Sequence, residues 1–275
     1  MSALEIVEAM NSEDKNVAET VKLALPEIAD AVNLIADRLF QGGRLLYVGA
    51  GTSGRLGVMD ASECLPTFGV SPELIQGLIA GGVSALTDEI EGAEDDSIAG
   101  ESVMKNTGVN RKDVVLGLSA SGTTPFVLAA MEYTKQQGSA RIGLACEMDS
   151  VLLKNVDVAI CVPVGPEILY GSTRLKAGTA QKMILNMLST AVMVKLGKVY
   201  KNHMVDLRVS NIKLVRRAEV MVAELGEVSQ ETATKLLKET GNNVKTAIVM
   251  AKRKINILEA EKNLKAVDGI LSKII

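Results

Sequence analysis

Histidine occurs once in the 275 residues, as His203, and cysteine three times, as Cys64, Cys146 and Cys161, with no C-x-x-C spacing. So little imidazole and thiol leaves scant material for a zinc site or a Ser–His–Asp triad, and acid–base chemistry falls to carboxylates. An odd cysteine count, with two of the three in apolar runs, points to reduced thiols and a cytoplasmic protein. The N-terminus lacks a basic segment followed by an apolar core, and no apolar run is long enough to cross a bilayer without charge or turn residues. Charge of one sign is not in excess either. With 30 Lys+Arg against 33 Asp+Glu the formal net charge is -3, which gives no electrostatic footprint for nucleic acid or an anionic membrane.

What is present is apolar residues, 47% of the chain, enough for one sizeable core and a small appended unit. From a cap at Asn11 or Ser12, Val17, Val21, Ala24, Ile28, Val32, Ile35 and Leu39 recur at helical spacing until Gly42 and Gly43, with Pro26 marking a break between two helices. Short apolar runs follow at residues 44–48, 74–80, 114–120, 141–145 and 158–164, the pattern of strands buried on both faces. Between them lie helix-length segments, including ALTDEIEGAED continuing toward Lys105, PFVLAAMEYTKQQG and the short MDSVLLKNV. This alternation predicts an α/β fold, a five-stranded parallel sheet sandwiched by helices. From about Val228, three short amphipathic segments predict a small C-terminal helical bundle. The expected organisation is an N-terminal helical segment (1–40), a central sheet domain (41–225) and the bundle (226–275).

YVGAGTSGRLG, residues 47–57, matches G-x-G-x-x-G at Gly49, Gly51 and Gly54 after an apolar run. Strand, glycine turn and helix together place backbone N–H groups at a positive helix end, which suits any phosphate. A dinucleotide also needs a carboxylate at the end of the second strand for the ribose hydroxyls, and that strand ends LIAGG. A second loop, SASGTTP at residues 119–125, follows the third run and opens a helix with Pro125. Two hydroxyl-rich loops at the carboxyl ends of neighbouring strands predict one terminal phosphomonoester, hence a phosphosugar. The candidate ligands are Gly51, Thr52, Ser53 and Gly54 from the first loop and Ser119, Ser121, Gly122 and Thr124 from the second. Lys176, in GSTRLKAGT, is a candidate for the anion's counter-charge, or for an ion pair closing a loop.

In order and spacing, GAGTSGRLGVMDASECLPTFG, GLIAGG, EGAEDD, SASGTTPFV and GSTRLKAGTAQKMILNMLST resemble the N-acetylmuramic acid 6-phosphate etherases of the sugar-isomerase (SIS) fold superfamily. The likeness runs from about Met10 through MVDLRVSN, residues 204–211, into GNNVKTAIVM. It implies cleavage of a D-lactyl ether by elimination then hydration, a homodimer, and no metal or organic cofactor. It also implies two catalytic glutamates, at Glu63 and Glu94. Glu63 is assigned as proton donor to the lactate oxygen and Glu94 as base at C2. Apolar neighbours Val58, Met59, Cys64 and Leu65 predict burial of Glu63 and a raised pKa. The rivals on the same fold are an aldose/ketose phosphosugar isomerase and a non-catalytic phosphosugar sensor. The family often carries an arginine where this chain has Thr123, and members begin with an additional segment of roughly two or three turns of chain before the part matching Met1.

Overall fold

The computed structural model describes residues 1–209 and 211–275, so Ser210 of MVDLRVSN lies outside the described residues. Two helices open the chain, α1 (Ala3–Leu23) and α2 (Leu25–Phe40). α1 starts well before Asn11, because Ser2 and Glu5 close a reciprocal capping box: Glu5 N donates to Ser2 Oγ at 3.3 Å and Ser2 N to Glu5 Oε2 at 2.5 Å. Pro26 sits in the first turn of α2, where its missing N–H does no harm. All seven periodic residues from Val17 to Leu39 are buried.

The sheet strands are β1 (Leu45–Gly49), β2 (Ile75–Ile79), β3 (Val114–Leu118), β4 (Ala140–Ala145) and β5 (Val158–Cys161). They are all parallel, in the order β2-β1-β3-β4-β5. β1 and β3 are buried at every position, as central strands must be when both faces are covered. The crossovers carry α3 (Gly51–Phe68), α4 (Ser97–Thr107), α5 (Pro125–Gln136) and α6 (Val151–Lys154). β1 therefore connects outward to β2 on one side while β3 lies on its other side, a switch point from which the loops after β1 and β3 diverge.

One expected helix is only half present: its continuation toward Lys105 is α4, but its first part is not helical. ALTDEIEGAED is a connection with two 3-10 turns, Val83–Leu86 and Ala93–Asp95. Gly92 takes a left-handed φ of 71°, and Asp96 caps a new helix by accepting from Ala99 N at 2.8 Å. Local stop signals here override the helix-forming residues.

α7 (Lys176–Lys195), α8 (Ile212–Gly226), α9 (Gln230–Glu239), α10 (Val244–Arg253) and α11 (Ile257–Ala266) complete the chain. The contacts divide it into two compact units, residues 1–62 with 72–192, and residues 63–71 with 193–275. The second unit has its own apolar core, drawn from α8 as well as from the three expected helices. Ala218, Met221, Val222 and Leu225 of α8 join Leu237, Ala247, Ile248 and Leu264 there. Within it Asp206 accepts from Lys245 Nζ at 2.6 Å and lies 2.9 Å from Lys198 Nζ. His203 Nε2 lies 3.5 Å from Glu224 Oε1.

Candidate active site

β1 ends at Gly49 and α3 begins at Gly51, so the N–H groups of Gly51, Thr52 and Ser53 belong to the first turn of a helix. The turn is tight because strand and helix nearly touch. A Cβ on Gly54 would lie 2.6 Å from Ile79 Cγ1 and 2.7 Å from Gly49 O, and one on Gly49 would lie 2.8 Å from Gly54 N. Only glycine at both positions permits that approach.

The second loop is built from side chains. Ser119, buried at the end of β3, accepts from Gly122 N at 2.9 Å and shares a 2.8 Å hydrogen bond with Thr124 Oγ1. Ser121 Oγ accepts from Thr123 N at 3.3 Å and Thr123 Oγ1 at 3.0 Å. Gly122 holds a φ of +66°, and α5 then begins at Pro125 with Thr124 at its cap.

Both loops open on one cavity of about 820 Å³. Of the residues expected from sequence, Gly51, Thr52, Ser53, Ser119, Ser121, Thr124 and Glu94 line it. Gly54 and Gly122 stand outside that lining and shape the turns instead. Sequence reasoning missed Arg55, Thr173 and the acidic run Asp88, Glu89 and Glu91, which also line it. The signal for Arg55 was its place inside GTSGRLG.

Lys176 is not in the lining. It is the first residue of α7, buried, with Nζ 2.6 Å from Glu13 Oε2. Its backbone N and that of Ala177 donate to the two oxygens of Glu167, at 2.9 and 3.0 Å, so α7 starts on a carboxylate cap. Glu63 is likewise absent from the lining, and it is exposed. The buried side of α3 runs through Gly54, Gly57, Asp60, Cys64 and Phe68, and Glu63 falls off that stripe. The expected burial of Glu63 therefore fails: adjacency in sequence is not adjacency on a helix face.

The buried carboxyl of α3 is Asp60. It accepts from Tyr47 Oη at 3.0 Å and Ser189 Oγ at 3.2 Å, with Lys182 Nζ 3.6 Å away. Burial raises its pKa, against the lowering effect of the Tyr47 hydrogen bond and the Lys182 charge. Cys64, Cys146 and Cys161 are not joined in disulfides, and burial pushes Cys146 up to about 12. Among the described residues no cluster of His, Cys, Asp or Glu is placed to hold a metal ion, and no helix is long and apolar enough to cross a membrane.

Residues 27–135 match the N-terminal SIS domain of glucokinase regulatory protein, residues 94–191 the SIS domain, and residues 201–240 the C-terminal lid domain of glucokinase regulatory protein. The N-acetylmuramic acid 6-phosphate etherase of Clostridium beijerinckii is 49% identical over 273 residues, 99% of this chain and 90% of its own length. Those of Oenococcus oeni and Serratia proteamaculans are 49% identical over 275 residues and 51% identical over 271, covering 93% and 91% of their lengths and 100% and 98% of this chain. Among solved structures, a phosphoheptose isomerase from Francisella tularensis superposes with a TM-score of 0.55 at 20% identity, over 70% of this chain and 100% of its own. A phosphoheptose isomerase from Neisseria gonorrhoeae gives 0.52 at 18%, over 70% and 98%; at such identities the likeness concerns the fold. The chain has the SIS fold and belongs to the N-acetylmuramic acid 6-phosphate etherase family.

Proposed function

We propose that this chain is itself a lyase that converts N-acetylmuramic acid 6-phosphate and water to N-acetylglucosamine 6-phosphate and D-lactate. The observation that carries the reading is the cavity at the switch point, where two hydroxyl-bearing loops and Glu94 line one space large enough for a substituted phosphohexose.

The 6-phosphate takes the first-turn N–H groups of α3 and the hydroxyls of Thr52, Ser53, Ser121 and Thr124, an anion at a helix N-terminus. With the phosphate anchored, the open-chain sugar lies along the cavity. Glu94 removes the C2 proton, which the C1 aldehyde acidifies. The electron pair left at C2 forms a C2–C3 double bond as the C3–O bond breaks, and the departing lactate oxygen takes up a proton, the part that the family resemblance assigns to Glu63, a residue outside the cavity lining. Water then adds at C3 and a proton returns to C2, so the same pair of carboxyl groups serves both halves. Lys176, paired with Glu13 and outside the cavity lining, serves to hold the start of α7 rather than to meet the anion. The working form is a cytoplasmic homodimer that needs no organic cofactor or metal.

In heavy-oxygen water or solvent deuterium, turnover places new oxygen at C3 and deuterium at C2 of the sugar and leaves lactate unlabelled. Heavy oxygen in the lactate contradicts this route. Release of free lactate separates the etherase from an isomerase or a sensor. Glu63→Ala and Glu94→Ala each lower turnover by at least about 100-fold, the contribution of a positioned acid or base.

A further inference from the structure

Residues 80–96, which join β2 to α4 and carry Glu94, contain only the two 3-10 turns. Gly81 and Gly82 at one end have φ of +81° and +70°, and Gly92 near the other has +71°, so the segment bends at both ends on left-handed backbone. Part of its own bonding is local: Thr87 N and Asp88 N donate to Ser84 O at 3.3 and 3.0 Å. Two of its carbonyls are held from α3. Leu86 O accepts from Arg55 Nε at 3.2 Å and Asp88 O accepts from Arg55 Nη2 at 3.0 Å.

Arg55 follows Gly54 directly, half-buried at the start of α3, and among the described residues it is the one cationic residue lining the cavity. The other charged residues of the lining are Asp88, Glu89, Glu91 and Glu94. A guanidinium is a planar fork that holds several donors in a fixed geometry, whereas an ammonium is a compact charge on a flexible stem with no such preset fork. Here the fork points at backbone, tying the glycine-hinged acidic segment to the helix whose first turn frames the first hydroxyl loop.

We propose that Arg55 is a positioning residue for Glu94, a tether that fixes the acidic segment relative to the phosphate grip, so that the anchored sugar meets the carboxylate at C2. This rests on the reading of Glu94 as the base. A misplacement of about 1 Å at a reacting centre costs on the order of 100-fold in rate, so a tether of this kind belongs in kcat.

The test joins steady-state kinetics on N-acetylmuramic acid 6-phosphate with backbone hydrogen exchange of residues 83–95, on the full chain carrying Arg55→Gln or Arg55→Lys. Arg55→Gln is expected to lower kcat roughly 10- to 100-fold with KM within about threefold, and to speed exchange at Thr87 and Asp88 about tenfold. Arg55→Lys, which keeps the charge but lacks the fixed fork, recovers part of kcat and part of the protection. A rise of about tenfold or more in KM at unchanged kcat overturns the proposal, since it makes Arg55 a direct ligand of the substrate anion. A loss of kcat with exchange unaltered overturns it too. If the unsubstituted protein releases no lactate, the etherase reading fails, and exchange alone judges the tether: faster exchange sustains it, unchanged exchange removes it.

Discussion

The loops after β1 and β3 occupy equivalent places in the sheet and face one cavity, yet they are held in different ways. The first is shaped by backbone: Gly49 and Gly54 meet so closely that neither tolerates a Cβ, and the helix beyond is pinned by the buried Asp60 to Tyr47 on β1 and Ser189 on α7. The second is shaped by side chains: Ser119 gathers Gly122 N and Thr124 Oγ1, and the helix beyond is seated by Phe126, Val127, Ala130 and Met131, all apolar. Two loops that read alike in sequence should therefore fail differently: the first by steric clash and pH, the second by loss of one hydroxyl.

The largest effect is expected at Gly54→Ala. The new methyl must displace Ile79 or the carbonyl of Gly49, and the strand cannot yield without opening the sheet. We expect a stability loss of about 1–3 kcal/mol together with a loss of phosphosugar affinity of at least about tenfold, read by denaturant unfolding and by product binding. Ser119→Ala ranks next. It removes the hydroxyl that Thr124 Oγ1 shares and one of the two acceptors of Gly122 N, whose bond to Ser119 O at 3.2 Å stays, for a loss of about 0.5–1.5 kcal/mol, and KM rises while the first loop keeps its geometry. If Ser119→Ala proved the more damaging of the two, the contrast between backbone-built and side-chain-built loops would be wrong.

Much of this was legible in advance. Five apolar runs became five strands, clearest at β1 and β3, which are buried at every position, and still readable at β2 and β5, which are only half-buried. Both loops were visible because glycine and hydroxyl residues between a strand and a helix have few other uses. The stretch ALTDEIEGAED was misread because composition outweighed the glycine and the aspartate that stop it. Glu63 was expected in the core because its chain neighbours are apolar, whereas the helix turns it off the buried stripe. α8 was not counted in the bundle, although Ala218, Met221, Val222 and Leu225 form a helical stripe that ends in that core. Arg55 had no readable role, since its acceptors are carbonyl oxygens of Leu86 and Asp88, and backbone carbonyls leave no mark in a sequence.

The pH dependence sharpens the contrast further. Asp60 has a folded pKa above its ordinary 3.8, raised first by burial, so its ionised form is disfavoured in the native state. For such a group the unfolded chain releases the proton more readily, and the native state gains relative stability as pH falls from neutrality through the folded pKa toward 3.8. Asp60→Asn removes that titration. The difference in Tm between the unsubstituted protein and Asp60→Asn should move in favour of the former as pH is lowered over that range. A difference that stays flat with pH, or moves the other way, would show that α3 is not held through a titrating group. Substitutions in the apolar seat of α5, such as Val127→Ala, should lower Tm with no comparable pH trend.

The smallest effect is expected at Thr123, in the second loop. Its hydroxyl meets Ser121 Oγ at 3.0 Å at an exposed position, while the hydrogen bonds that shape the loop run through Ser119. Thr123→Ala therefore removes one surface hydrogen bond and should change KM by less than about threefold, within the usual 0.5–1.5 kcal/mol of such a bond. Thr123→Arg adds a cation beside Ser121 and Thr124, where the charged residues of the cavity's lining, among the described residues, are Arg55 and four carboxylates. It should lower KM for the anionic sugar at low ionic strength, and that gain should vanish with added salt as screening sets in over about 10 Å at 0.1 M. A salt-independent gain would mean direct contact with the phosphate, and would make this side-chain-built loop the dominant half of the grip.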